Sequence, residues 1–254
     1  MKAVLRALLV FAGLCLLWQA LVVTTGLPAY ILPPPTRVFA ALVGRADFLL
    51  SHALLTLAEI VLGMLSGVVL GVASALTLAS VPTARRWLLP VLVVSQAIPV
   101  FALAPLLVLW LGYGMASKVA MATLIIYFPV TSAFYDGLRH TERGWLDLAR
   151  VMGATGGREL LHVRVPAALP GLASGLRVAA VVAPIGAVIG EWVGASAGLG
   201  YIMLQANARM QIDVMFAALL VLGVMAVALY YGLDAALRRF IPWLPQSLPV
   251  SSKE

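Results

Sequence analysis

Six stretches of the chain stay apolar for about the 20 residues a helix needs to cross a bilayer: Val4–Thr25, Leu54–Ser80, Leu88–Leu111, Ala116–Tyr135, Leu169–Val193 and Val214–Leu233. They are continuous runs, not the short alternating segments of a membrane barrel. In lipid an isolated segment must satisfy its own backbone, and an α-helix does so. The pattern therefore predicts an all-α polytopic membrane protein with six transmembrane helices, organised as one membrane domain over residues 1–254. Composition agrees: 63% of the residues are hydrophobic and 11% are charged, against about 45–50% and 25% in soluble domains. A soluble globular protein is excluded.

Lys2 and Arg6 followed by the apolar Ala7–Leu17 have the order of a secretory signal. The run continues through Leu21, Val22 and Val23 without a small-residue cleavage site, so a retained first span is expected. Leu14 stands where lipidation of Cys15 would want a small residue. As the only cysteine, Cys15 offers neither an internal disulfide nor a thiol-based metal site.

The net charge of +7 would fit nucleic-acid binding in a soluble chain. Here its distribution reads as orientation. With both termini on one side of six spans, that side carries twelve basic residues: Lys2, Arg6, Arg85, Arg86, Arg139, Arg143, Arg150, Arg158, Arg164, Arg238, Arg239 and Lys253. The other side carries four, Arg37, Arg45, Lys118 and Arg209, and Arg177 lies within the fifth span. The positive-inside rule then places both termini in the cytoplasm.

The connections differ in kind. Val81-Pro82-Thr83-Ala84 and Gly112-Tyr113-Gly114 are short and make antiparallel neighbours. After the first span come the stiff Leu32-Pro33-Pro34-Pro35 and then Thr36–Leu50, whose Val38, Phe39, Leu42 and Val43 fit an interfacial amphipathic helix. Gly194–Gly200 is glycine-rich, and the polar Gln205, Asn207 and Arg209 follow it. Two glycine trios at four-residue spacing, Gly63/Gly67/Gly71 and Gly186/Gly190/Gly194, read as faces for close helix packing. Pro90, Pro99 and Pro105 crowd the third span, with Pro129 and Pro184 in later ones, as in the broken helices that line transport pathways.

Enzyme chemistry has little to stand on. His52, His140 and His162 fall outside the predicted spans, and neither H-E-x-x-H nor G-x-S-x-G is present. Tyr135-Asp136 lacks the second carboxylate of an aspartyl dyad. No phosphate-cradling G-x-x-x-x-G-K-[ST] exists, so an energy source must come from another chain or from an ion gradient. A gradient-driven carrier is disfavoured because Glu59, Glu191, Asp136 and Asp234 sit at span ends, where solvated termini explain them. Arg177 reads as snorkelling towards the cytoplasm, with substrate contact as the alternative.

The longest cytoplasmic connection, Leu138–Ala168, is the most charged stretch. Within it, Trp145–Gly153 carries a helical stripe including Leu146, Ala149 and Met152, and ends on a glycine that permits a sharp turn. A second helical stretch, Arg158–Val163, leads through Val165-Pro166 into the fifth span. Two short helices meeting at a glycine make a projecting elbow whose apolar positions want a partner groove.

This loop resembles the signature of the membrane-spanning subunits of binding-protein-dependent ABC importers: E-A-A, three residues, G, nine residues, then I-x-L-P. Asp147, Leu148 and Ala149 stand for the first three positions, Gly153 for the glycine, and Val163-Arg164-Val165-Pro166 for the end. Asp147, Leu148, Val163 and Val165 depart from the consensus while the spacing holds. The likeness extends over nearly the whole chain. Leu32–Val38, Pro105–Lys118 and Leu169–Arg177 look like the branch importing sulfonates, taurine, nitrate and thiamine precursors. Gly190–Ser196 and Gly198–Gln211 look most like permeases for the pyrimidine precursor of thiamine.

The resemblance implies a six-helix bundle of the type I importer permease kind, in a bacterial inner membrane. It implies that Asp147, Ala149, Gly153, Val163 and Pro166 belong to an element coupled to an ABC ATPase subunit. ATP and magnesium would be bound by that partner, with no cofactor in this chain. An external solute-binding protein and a second copy of the permease complete the expected assembly. Imports of sulfonate, taurine or nitrate by the same mechanism, and a membrane enzyme, are the alternatives. Ser95, Gln96, Tyr127, Arg177, Glu191 and Gln205 are the polar pathway candidates; for Ser95, Gln96, Tyr127 and Gln205, helix-to-helix hydrogen bonding is the competing explanation.

Overall fold

The computed structural model describes residues 2–243, and among them every regular element is a helix. In chain order the α-helices are α1 (Lys2–Thr25), α2 (Pro35–Gly44), α3 (Ala46–Ser80), α4 (Pro82–Ser95), α5 (Ala104–Leu111), α6 (Met115–Arg139), α7 (Arg143–Val151), α8 (Gly156–Glu159), α9 (Val165–Gly194), α10 (Leu199–Ala208) and α11 (Ile212–Phe240), with a short 3-10 helix, Val100–Leu103, before α5. Among the described residues four helices are long and apolar enough to cross a membrane: α3, α6, α11 and a 39-residue stretch, Gly156–Gly194, ending in α9. The first predicted span corresponds to α1, of which Leu9–Thr25 forms a shorter apolar helix.

The third predicted span is not a single rod. Pro82–Ser95 and Val100–Leu111 are bent by 92° relative to each other. The sequence reason is local. Pro99 disfavours helical backbone at the residue before it and has no N–H to continue the ladder. The last turn of α4 tightens instead, with Gln96 N–H donating to Val93 O at 3.2 Å and Ala97 N–H to Val94 O at 3.0 Å. Pro105 then occupies the first turn of α5, where its missing N–H costs nothing.

Helix α6 is the centre of the bundle, with α3 on one side and α9 on the other. Residue numbers rise together along the α3 contacts, Gly67 on Ile126 and Gly71 on Val130, so α3 and α6 run parallel. They run in opposite directions along α9, where Gly186 meets Ala122 and Gly175 meets Ala133. A Cβ on Gly67 would stand 2.8 Å from Ile126 Cγ2, and one on Gly186 2.8 Å from Ala122 Cα. Lipid supplies no hydrophobic drive between helices, so this close van der Waals packing holds them together. The packing role read from the glycine trios is therefore borne out, except that Gly194 meets Val108 and Tyr113 rather than α6. Between the three helices lies a core of Ile60, Ala122, Ile126, Val130, Ala179, Ala183 and Ala187.

Two boundaries differ from the sequence reading. The segment expected as one amphipathic helix over Thr36–Leu50 divides at Arg45: α2 ends there, and α3 begins eight residues before the predicted span. His52 is therefore inside a long helix, not outside one. Val38 of α2 is fully buried in one cluster with Leu199, Ala217 and Ala218, and α2 packs its apolar face on α11. In the charged loop, the second short helix does not stop before the fifth span. It passes through a π-turn, Leu160–Arg164, into α9. The wider turn accommodates Pro166, which cannot donate to the preceding turn.

One backbone position is strained. Helix α10 ends in a Schellman motif, with Gln211 N–H donating to Ala206 O at 2.8 Å and Met210 N–H to Asn207 O at 3.1 Å. The left-handed position belongs to Met210, φ +57°, whose side chain is exposed. Glycine there relieves the Cβ clash, so Met210→Gly is expected to stabilise the protein by about 1 kcal/mol, read as a higher unfolding midpoint in detergent. An unchanged or lower midpoint would count against it.

Candidate functional site

Three places carry the polar and exposed groups from which a site can be built. The first is the charged loop between α6 and α9. Helix α7 ends in a second Schellman motif: Ala154 N–H donates to Ala149 O at 2.9 Å and Gly153 N–H to Arg150 O at 2.9 Å. Here the left-handed residue is Gly153, φ +82°, with open space where a Cβ would be. Glycine is needed there for backbone conformation rather than for space, since an L side chain is strained at that φ.

The predicted stripe divides between two sides of α7. Ala149 is buried and Leu146 half-buried, while Met152, expected in the same stripe, is 78% exposed. With Trp145, Leu148 and Val151 it forms an apolar surface next to the charges. Asp147 is exposed and bridges to Arg150 at 3.3 Å, and Arg150 also reaches Glu159 at 3.2 Å. Val163 and Pro166 lie across a groove of about 520 Å³ from Trp145, Leu148, Ala149 and Met152, and Trp243 closes one side. The structure thus brings Ala149, Val163 and Pro166 around one groove, and sets Asp147 on the exposed surface outside it.

The second place is a buried polar cluster at the opposite end of the bundle. Glu59 of α3 is fully buried and accepts a 2.8 Å hydrogen bond from Lys118 Nζ of α6, itself 8% exposed. Glu191 of α9 is 1% exposed. It accepts from Thr56 Oγ1 at 2.6 Å through Oε1, and from the backbone N–H groups of Gly200 and Tyr201 through Oε2. Thr56 in turn accepts from Leu199 N–H at 2.9 Å, and His52 Nδ1 from Gly198 N–H at 2.9 Å. The reading of Glu59 and Glu191 as solvated helix ends is therefore wrong. Both are internal, and they are tolerated because cations or N–H donors face them.

Gly198 and Gly200 explain how the chain gets so close. A Cβ on Gly198, φ +116°, would collide with the Glu191 carboxyl, and one on Gly200 would lie 2.8 Å from Oε2. The sequence signal for this cluster was a glutamate followed, seven residues later, by glycines flanking one residue. It was legible only as a resemblance.

The third place is a cavity of about 350 Å³ beside this cluster, lined by Arg45, Phe48, His52, Ser196, Tyr201, Gln205 and Arg209. Gln205 is the one pathway candidate that lines it. The others lie elsewhere. Ser95 and Gln96 are exposed at the bend after α4, and Ser95 Oγ donates to Leu92 O of its own helix at 2.8 Å. Tyr127 donates to Ser74 Oγ at 2.8 Å, a bond between α6 and α3. Arg177 pairs with Asp234 of α11 at 2.7 Å, and Asp234 also holds Arg238 at 2.7 Å.

The comparisons with known proteins fit this arrangement. The family described as "Binding-protein-dependent transport system inner membrane component" matches residues 67–245. The chain belongs to that family. This permease is 56% identical to a probable ABC transporter permease protein of Haemophilus influenzae, over 93% of this chain and 97% of that one. It is 35% identical to the formylaminopyrimidine transport permease protein ThiX of Halalkalibacterium halodurans, over 94% and 96%. Among solved structures, a chain of the MetNI methionine ABC transporter in inward-facing conformations shares the fold, with a TM-score of 0.66 at 22% identity, covering 76% of the permease and 96% of that chain. The permease is a multi-pass membrane transport component, not an enzyme.

Proposed function

We propose that the permease forms the solute pathway of an ATP-driven importer for a pyrimidine of the thiamine-precursor class. In this reading an external binding protein delivers solute to the α10 end, both termini face the cytoplasm, and two copies of the chain flank one pathway. An ABC ATPase, holding ATP and magnesium, docks on the elbow of Asp147, Ala149, Gly153, Val163 and Pro166. ATP binding closes the ATPases, moves the elbows and opens the pathway outward. Hydrolysis resets it.

The likeness to ThiX over 94% of the chain carries the substrate class. Lys118 is paired with Glu59 and Arg177 with Asp234, and the cavity beside α10 sets Phe48, His52 and Tyr201 next to Arg45 and Arg209; the aromatic rings offer stacking surfaces to a planar heteroaromatic solute. The docking reading is supported by the apolar surface of Trp145, Leu148, Val151 and Met152 beside charged residues, the form of a partner interface.

The test is competition. The partner binding protein is screened against formylaminopyrimidine, taurine and nitrate, and the best binder is then offered to the reconstituted transporter. Saturable binding and uptake of formylaminopyrimidine, undisturbed by excess taurine, is the expected result. Preference for taurine or nitrate would overturn the substrate assignment while leaving the importer intact.

A further inference from the structure

The buried cluster does more than neutralise itself. Helix α10 begins with four backbone N–H groups, of Gly198, Leu199, Gly200 and Tyr201, that a helix cannot satisfy from within. All four are met by side chains of other helices: His52 and Thr56 on α3, and Glu191 on α9. Thr56 is the keystone, because its hydroxyl donates to Glu191 while accepting from Leu199. Beneath it, Glu59 and Lys118 tie α3 to α6. Nothing comparable fixes the far end of α10, whose Schellman turn runs through the strained Met210 and whose last residues are exposed.

The same short helix and its C-terminal cap line the 350 Å³ cavity through Tyr201, Gln205 and Arg209, and α3 with the residue before it lines it through Arg45, Phe48 and His52. His52 serves both: its ring lies tilted against Phe48, centroids 4.6 Å apart, while its Nδ1 holds Gly198. We infer that Thr56 and Glu191 are positioning residues for solute uptake, locking α10 to α3 so that the two walls of this cavity keep a fixed separation. The inference rests on the reading of the chain as an importer with the α10 end outside. Neither residue touches the cavity, so their effect reaches the solute only through the placement of α10.

The experiment uses the full transporter, permease with ATPase and binding protein, on a Cys15→Ser background. Spin labels at Leu50→Cys on α3 and Leu204→Cys on α10, both exposed positions, report the separation of the two walls in lipid nanodiscs. Thr56→Val keeps the shape and removes both hydrogen bonds, Thr56→Ser restores them, and Glu191→Gln removes the charge. Expected are a narrow distance distribution in the parent and in Thr56→Ser, a broadened one in Thr56→Val, and partial broadening in Glu191→Gln. In uptake assays the KM for solute rises about tenfold in Thr56→Val, the order expected when buried hydrogen-bonding groups are left unpaired, with a smaller change in maximal rate and with rescue by Thr56→Ser. Unchanged distances and KM in a folded Thr56→Val would overturn the inference. Should the parent import nothing, the importer reading fails, and the distance distributions still decide the lock. Should Glu191→Gln not fold, Thr56→Val and Thr56→Ser decide it.

Discussion

Lys118→Met is expected to destabilise the permease by about 3–5 kcal/mol, because it leaves Glu59 as an uncompensated charge inside the bundle. Glu59 is fully buried, and only Oε1 is engaged, by Lys118; Oε2 has no partner among the described residues. The double variant Glu59→Met/Lys118→Met removes the orphan along with its partner, and well-packed apolar replacement of a buried pair is commonly neutral or better. It is expected to return to within about 1 kcal/mol of the parent. Unfolding midpoints of the four proteins of the cycle in one detergent measure this. A single variant as stable as the parent would show that Glu59 is solvated after all, and a double variant as unstable as the single would show that the pair specifies the fold.

The second large effect is on function. Gly153→Val places a β-branched side chain at φ +82°, outside its allowed regions. The space around Gly153 is open, so the bundle itself should fold. What changes is the turn joining α7 to α8, and with it the relation of the exposed Trp145–Met152 surface to the groove beside Val163 and Pro166. Displacement of a positioned element by about 1 Å commonly costs on the order of 100-fold in rate. Uptake is therefore expected to fall by about that factor, while the permease still inserts and ATP hydrolysis by the assembled complex becomes independent of solute. Gly153→Asn, whose side chain tolerates the left-handed region, should retain much of the uptake. Full uptake by Gly153→Val would remove the elbow from the coupling path.

The long runs around Gly63–Gly71 and Val214–Leu233 were legible because period and length are local properties of a sequence. So was Gly153, since a helical stripe ending on glycine has few other readings. Three features were not legible, each for a physical reason. The 92° bend lies inside a stretch whose apolar character is unbroken from Leu88 to Leu111, so hydropathy cannot see it. Pro99 was the signal, but prolines also sit in helices that stay straight enough to span, such as Pro129 in α6. Glu59 and Glu191 look peripheral when judged by distance from a span end, and Arg177, inside a span, reads from sequence only as a side chain long enough to reach the cytoplasm. Their partners, Lys118, the start of α10 and Asp234, are 57 or more residues away for the two ion pairs and across a turn for the third. Lys118, counted as an outer charge in the orientation argument, is better explained by that pairing; the remaining bias is unaffected. The cavity lined by Gln205 could not be found from sequence at all, since its walls come from α3, α10 and the loop between α9 and α10.

We propose that this chain moves solute only when an ATPase drives it through the loop between α6 and α9. Uptake of radiolabelled formylaminopyrimidine into proteoliposomes, with permease and ATPase in the membrane, ATP inside and the binding protein outside, tests it most directly. Accumulation against a gradient that stops when ATP, the ATPase or the binding protein is withheld is the predicted result. Uptake that continues without ATP or without the ATPase would contradict it.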